Sequence, residues 1–274
     1  MKKSLCGVVF AAAFFGLMPF MGGKVYVNSK PSKKTVEKSG KTADHSLWVK
    51  VLAVCVDKDG LVNYKSLKKD KDALKNLQKY LNYLAAINPD KLTDKKVELS
   101  YWINFYNAAA IAGVLGHYPV KSVKDIEDFW TNVVVYAGKK EYSLADIENN
   151  VLREIGEPRI HWAIVRASKG CARLLAEPYT SEKLEEQLAS QEKRYLVGRK
   201  QVYIDREKRA IVYTSLFYWY GPDFIKNAGT KLDYVKKYLS EEDLEFIENN
   251  PLSTKYIKYD WSLNQKDEQP QKDK

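Results

Sequence analysis

Apolar positions fall first into helical spacing and later into alternation. Over residues 44–56, Leu47, Val51, Leu52 and Val54 recur at helical intervals, with Asp44 or Ser46 placed to cap the start. "DKDG" then predicts a turn. Leu74, Leu77, Leu81 and Leu84 share one face of a second helix that ends near Asn88-Pro89. A long helix is expected from Thr93, as its cap, to about His117, with Pro119 as its stop. Asn104 and Asn107 lie on one face of it, among Trp102, Ile103, Phe105, Tyr106 and Ala108. An amide in such company points inward and must find hydrogen-bond partners. It either ties down a neighbouring loop or faces a pocket.

The later pattern changes. "KSVKDIEDFW" predicts a short helix capped by Ser122, and "VVVYAGKKEYS" a hairpin turning at Gly138. Ser143 opens a helix with a capping-box-like "SLAD", and Gly156 ends it. Residues 159–166 read as a strand, which would point His161 and Arg166 to opposite faces. An amphipathic helix follows over 180–196, then a hairpin over 201–215, then two short helices over 227–247. Helices come first and hairpins later. The fold class is therefore α+β, a helical N-terminal half followed by antiparallel hairpins and short helices.

The 274 residues are 45% hydrophobic and 12% aromatic, enough for one sizeable core and against global disorder. Residues 44–264 read as a single globular domain. Residues 1–23, two lysines followed by an apolar run from Leu5 to Met21, have the layout of an export signal or of an uncleaved membrane anchor. The expected location is periplasmic or secreted, or alternatively anchored through residues 5–21. Residues 24–43 read as a basic flexible linker and residues 265–274 as a disordered tail.

The net charge of +10 suggests nucleic acid at first sight, but residues 1–43 hold eight Lys against the single acid Glu37. The body carries no Arg/Lys stripe interleaved with aromatics, so nucleic acid is not expected as a partner. Cys55 and Cys171 allow one pairing in an oxidising compartment, and nothing in the sequence places them together. His45, His117 and His161 are scattered, without CxxC or HExxH, so neither a metal nor a cofactor is expected.

Five stretches, taken in order, resemble one family. They are "GLVNYKSL", "YWINFYNAAAIAGVLGHYPVKSV", "SLADIENNVLR", "RIHWAIVRASKGCARL" and "YDWSLN". The family is catalogued as domain of unknown function 547 and occurs in bacterial envelope proteins and in plants. The resemblance spans about residues 60 to 264. Three positions depart from the family pattern: Asn149 stands where His is usual, Arg166 where Cys is usual, and Ala172 where Pro is usual. Glu148, Arg153, His161, Ser168 and Cys171 keep to it. The family's His, Cys and acidic motifs look like those of cysteine-dependent hydrolases or acyltransferases.

Two functional readings follow. In one, Cys171 is a nucleophile, His161 its base and Glu148 the group that orients the imidazole. A thiol of ordinary pKa is only roughly 3% thiolate at neutral pH and needs such help. Asn107 or a backbone N–H would then hold an oxyanion. In the other, the site no longer reacts and binds a peptide, a glycan or an envelope protein. Asn104, Asn107 and Ser168 would line it, and Arg166 would recognise a carboxylate. "ASKG" also makes Ser168 a turn former. Arg153 is expected to anchor the core on a backbone carbonyl. Tyr259, Asp260 and Trp261 either close the fold by docking Trp261 or line the pocket.

Overall fold

The structure, a computed structural model, describes residues 23–33 and 43–266. The export or anchor segment up to residue 22, the middle of the expected linker and most of the expected tail lie outside the described residues.

Periodicity builds the helical half as expected. Helix α1 spans Ser46–Cys55, α2 Tyr64–Lys69, α3 Lys71–Ala86 and α4 Lys95–His117. The start of α4 is capped by Asp94 rather than Thr93, its carboxylate accepting from the amides of Lys96 and Val97 at 2.8 and 3.0 Å. Helix α1 starts from His45, with Asp44 accepting from the Ser46 amide. Helix α4 is the axis of the core, and every residue from Leu99 to Leu115 is buried. A helix apolar all round can be stable only when it is enclosed on every side. It packs against α3 and against a small sheet, and at Gly113 a side chain would collide with Val133.

That first sheet has the order β1 (Val25–Tyr26), β2 (Val133–Ala137), β3 (Lys140–Ser143). The β2–β3 hairpin is the expected one, with Gly138 at φ 60 in its turn. Strand β1 is unexpected, since it pairs in parallel with β2 inside the segment read as linker. The residues after it are docked as well. Asn28 is buried; its amide donates to the carbonyls of Leu81 and Tyr136 at 3.2 and 3.0 Å and accepts from the Tyr136 amide at 2.8 Å. One amide side chain thereby replaces a missing strand residue. Asn28→Ala is expected to cost about 1 kcal/mol and to speed exchange of the Val27 amide, which donates to Val134. Hydrogen exchange would check both, and unchanged protection at Val27 would count against the docking.

The second sheet has the order β4 (Val202–Asp205), β5 (Ala210–Thr214), β6 (Ser253–Ile257). Strands β4 and β5 form the expected hairpin, and β6 adds in parallel. Helix α5 (Leu184–Leu196) matches the amphipathic segment. Helices α6 (Gly221–Ala228), α7 (Lys231–Val235) and α8 (Glu241–Asn249) fill the stretch between the last two strands.

The expected strand at 159–166 is not a strand. Pro158 opens a 3₁₀ turn over Pro158–Trp162, capped by Glu157, which accepts from the Arg159 amide. Every residue from Ile160 to Ser168 is buried, so there is no alternation of faces for sequence pattern to detect. The turn brings Arg166 to His161 instead of setting them on opposite faces.

The motif "YDWSLN" closes the fold by backbone pairing. Ser262 bridges to Ser122, Leu263 to Ser168 and Gln265 to Val62. Tyr64 donates to the Asn264 side chain at 2.8 Å, and the Gly170 amide donates to Asp260 at 2.8 Å. Any side chain on Gly170 would meet the Asp260 backbone, which is why the loop carries glycine there.

Candidate functional site

The loop after the 3₁₀ turn is held by two amides from α4. Asn107 donates to the Ala163 carbonyl at 3.0 Å and accepts from the Val165 amide at 2.8 Å. Asn104 does the same for another stretch, donating to the Tyr179 carbonyl at 2.7 Å and accepting from its amide at 3.0 Å. Both asparagines tie down neighbouring chain. Asn107 has its oxygen on Val165 and its nitrogen on Ala163, so the amide has a partner at each end.

Between Arg166 and Ser168 the chain reverses through Ala167 at φ 55, a left-handed conformation that a side chain rarely adopts. This kink points Arg166 toward Glu148, while the Ser168 hydroxyl shares a hydrogen bond of 2.7 Å with Tyr259.

Glu148 comes from a π-helical turn, Ile147–Leu152, which continues the capped start at Ser143. The Arg153 amide bonds to the Glu148 carbonyl across this wide turn at 3.1 Å. Glu148 is buried and accepts from Arg166 at 2.5 and 3.1 Å, and from the Tyr106 hydroxyl at 3.3 Å. Burial alone would raise its pKa. The Arg166 guanidinium outweighs burial and holds the carboxyl below its usual range.

His161 is fully buried. Its Nε2 lies 2.8 Å from Asp223 of α6, and its Nδ1 3.1 Å from Arg166. A carboxylate only accepts and a guanidinium only donates, so Nε2 carries the proton and Nδ1 offers the lone pair. The imidazole is thus neutral. Burial lowers its pKa to about 4, helped by the Arg166 charge and opposed by the bond to Asp223. Tyr220 stacks on the ring at 4.1 Å and also covers the Arg166 guanidinium at 4.9 Å.

Arg153 completes the chain of charges. It grips Asp223 with two hydrogen bonds of 2.8 and 2.9 Å and donates to Asn149 at 3.0 Å. It anchors on a carboxylate, not on the backbone carbonyl expected from sequence. Hydrogen bonds to Arg153 and His161 hold the Asp223 carboxyl well below its usual range against the opposing effect of burial. The series Asn149, Arg153, Asp223, His161, Arg166, Glu148, Tyr106 runs from a partly exposed end inward. Its two guanidinium and two carboxylate charges cancel.

Cys171 does not join this chain. Its thiol donates to the carbonyls of Ser168 and Ala172, at 2.9 and 3.2 Å, and is fully buried. Cys55 is buried too, and both are free thiols. Burial pushes the Cys55 pKa up to about 12. Arg166 is 4% exposed with its carboxylate supplied internally, so it does not face outward to recognise a ligand.

Asp223 and Tyr220 escaped the sequence reading. Their signal is faint: an acid in the first turn of a helix that opens at Gly-Pro, in "YGPDF". Trp261 is half-buried in a group of rings, with Trp130 at 5.9 Å, Trp219 at 5.6 Å and Tyr259 at 4.5 Å. Asp260 caps the next turn by accepting from the Ser262 amide at 2.9 Å.

Residues 89–196 match the family described as "Protein of unknown function, DUF547", which covers α4, the π turn, the His161–Cys171 loop and α5. No curated protein matches the chain, and no solved structure does.

Proposed function

Since the chain carries a DUF547 domain, we propose that it works by binding and not by covalent catalysis, as an exported protein of the cell envelope. The observation that carries this reading is the state of His161. Both ring nitrogens are engaged, one by Asp223 at 2.8 Å and one by Arg166 at 3.1 Å. A general base needs a free lone pair within reach of the nucleophile's proton. Here that lone pair already accepts from a guanidinium, and the thiol of Cys171 donates to its own loop.

The departures from the family pattern support the same reading. Arg166, in place of the usual Cys, pairs with Glu148, and Asn149, in place of the usual His, receives a bond from Arg153. Both substitutions feed the charge network. At both positions the residue present here joins the network of ion pairs and hydrogen bonds around His161. Export rests on the layout of residues 1–23, and the ligand classes in view are a peptide, a glycan or an envelope protein. Among the described residues no helix is long and apolar enough to cross a membrane.

Thiol labelling tests the reading. Brief treatment of native protein with iodoacetamide, followed by peptide mapping, is expected to leave Cys171 unmodified, and labelling is expected only after denaturation. Rapid native labelling that His161→Ala slows would overturn the binding reading in favour of a cysteine-dependent hydrolase or acyltransferase.

A further inference from the structure

Six aromatic side chains form a strip where the chain leaves β6 and passes the short helical turn Leu216–Trp219. Tyr256 meets Tyr218 edge-on at 5.3 Å. Further along, Trp219 meets Tyr259 at 4.9 Å and Trp261 at 5.6 Å, and Trp130 continues the row at 5.9 Å. Tyr218 is 67% exposed and Trp219 40%. The rings form two groups, Tyr218 with Tyr256 and Trp219 with Tyr259, Trp261 and Trp130, which meet in the chain at Tyr218 and Trp219; Tyr259 is buried, and Tyr218, Trp219 and Tyr256 are the exposed members. Three exposed rings gathered in this way are the kind of feature that marks an interaction surface.

Two cations flank the strip. The Lys124 ammonium sits 4.3 Å above the Trp261 ring, and Lys231 donates to the Tyr256 hydroxyl at 2.8 Å. Neither has a carboxylate in ion-pair contact among the described residues. Asp125, next to Lys124 in the chain, accepts from the amides of Lys121 and Ser122. The strip therefore offers exposed ring surface at Tyr218, Trp219 and Tyr256 together with two ammonium groups that no carboxylate pairs at ion-pair distance among the described residues.

We propose that this strip binds a carboxylated glycan chain. The inference rests on the binding reading above and names its ligand. Sugar rings present flat C–H faces that stack on indole and phenol, and their carboxylates complement Lys124 and Lys231. The five residue-to-residue steps from Tyr256 to Trp261 can extend over roughly 16 Å, the length of a short oligosaccharide. Neighbouring rings are tilted by 35 to 70° and do not form parallel slots. Facets of this kind suit puckered sugars better than the flat bases of a single-stranded nucleic acid, which favour parallel stacking.

The test is titration of the full chain with polygalacturonate, read by tryptophan fluorescence, with dextran and a single-stranded oligothymidylate as parallel arms. Saturable binding to polygalacturonate is expected, at least tenfold tighter than to dextran. Trp219→Ala should weaken it at least tenfold, and Lys124→Ala should weaken it and flatten its dependence on salt. Tyr218→Ala, at a highly exposed position, gives up only the edge-on contact with Tyr256 and should also weaken binding. No binding to polygalacturonate, equal affinity for dextran, preference for the oligonucleotide, or wild-type affinity in both aromatic variants would each overturn the proposal. If it fails while Cys171 stays unlabelled in native protein, the binding reading stands with another ligand.

Discussion

Glu148→Gln is expected to destabilise the folded domain by about 3–5 kcal/mol, a large share of the roughly 5–15 kcal/mol that holds a typical domain together. The mutation keeps the shape and removes the charge. Arg166 is then left as a cation in the core, since its only carboxylate partner among the described residues is Glu148. One of its terminal nitrogens already lacks a partner, so the remaining bonds cannot be redistributed at no cost. The pair as a whole contributes less than either half costs when lost, because dehydrating two ions offsets most of their attraction. Glu148→Leu combined with Arg166→Met should accordingly recover most of the lost stability. Urea unfolding of the single and double variants checks this. Single variants within about 1 kcal/mol of the parent would show that the pair is not a structural element of the core.

Acid is expected to weaken the domain well above the range where carboxylates titrate. His161 has an ordinary pKa near 6.5 when unfolded and about 4 when folded. Below pH 6.5 the unfolded chain binds a proton that the folded chain refuses, so stability falls as pH falls, down to about 4. From pH 7 to pH 5 this single group should remove about 2 kcal/mol. His45, with its Nδ1 2.6 Å from the Tyr80 hydroxyl, is also lowered to about 4, mainly by burial, and adds in the same direction. Glu148 and Asp223, both lowered, extend the loss further into acid. His161→Gln separates the contributions. Its amide can still donate to Asp223 and accept from Arg166, but it does not titrate. Stability measured at pH 7 and pH 5 should change less in that variant. An equal change in both proteins would refute the assignment to His161.

The helices were legible because their signals were redundant. Helix α4 has a cap at Asp94, an apolar sequence and a terminal proline, so the one-residue error at Thr93 changes nothing. The hairpins announced themselves through Gly138 and through the charged turn between β4 and β5. Strands β1 and β6 did not, because each joins its sheet in parallel and without a tight turn.

The site was only half legible. Asn104, Asn107, Glu148, Arg153, His161 and Arg166 were all singled out, yet the geometry was misjudged at residues 159–166. A short apolar run buried on every side carries no period, and Pro158 was the only hint of a helical turn. Asp223 lies 62 residues beyond His161. Pairing over that distance is decided by tertiary packing, and no local pattern encodes it. Glu148 and Arg153, five residues apart, each pair elsewhere, with Arg166 and Asp223. The π turn that joins them through the backbone could not be read from "IENNVL".

The closing segment has a consequence for how the chain matures. Tyr64 and Asn264 are bonded across 200 positions, and residues 262–265 also latch the stretches around Ser122 and Ser168. Such distant loops are slow to close. During synthesis the early helices can gather, but they stay unlatched until residues 262–265 emerge. Throughout that interval the apolar sides of α4 depend on incomplete neighbours, which makes the nascent chain a natural client for holding chaperones.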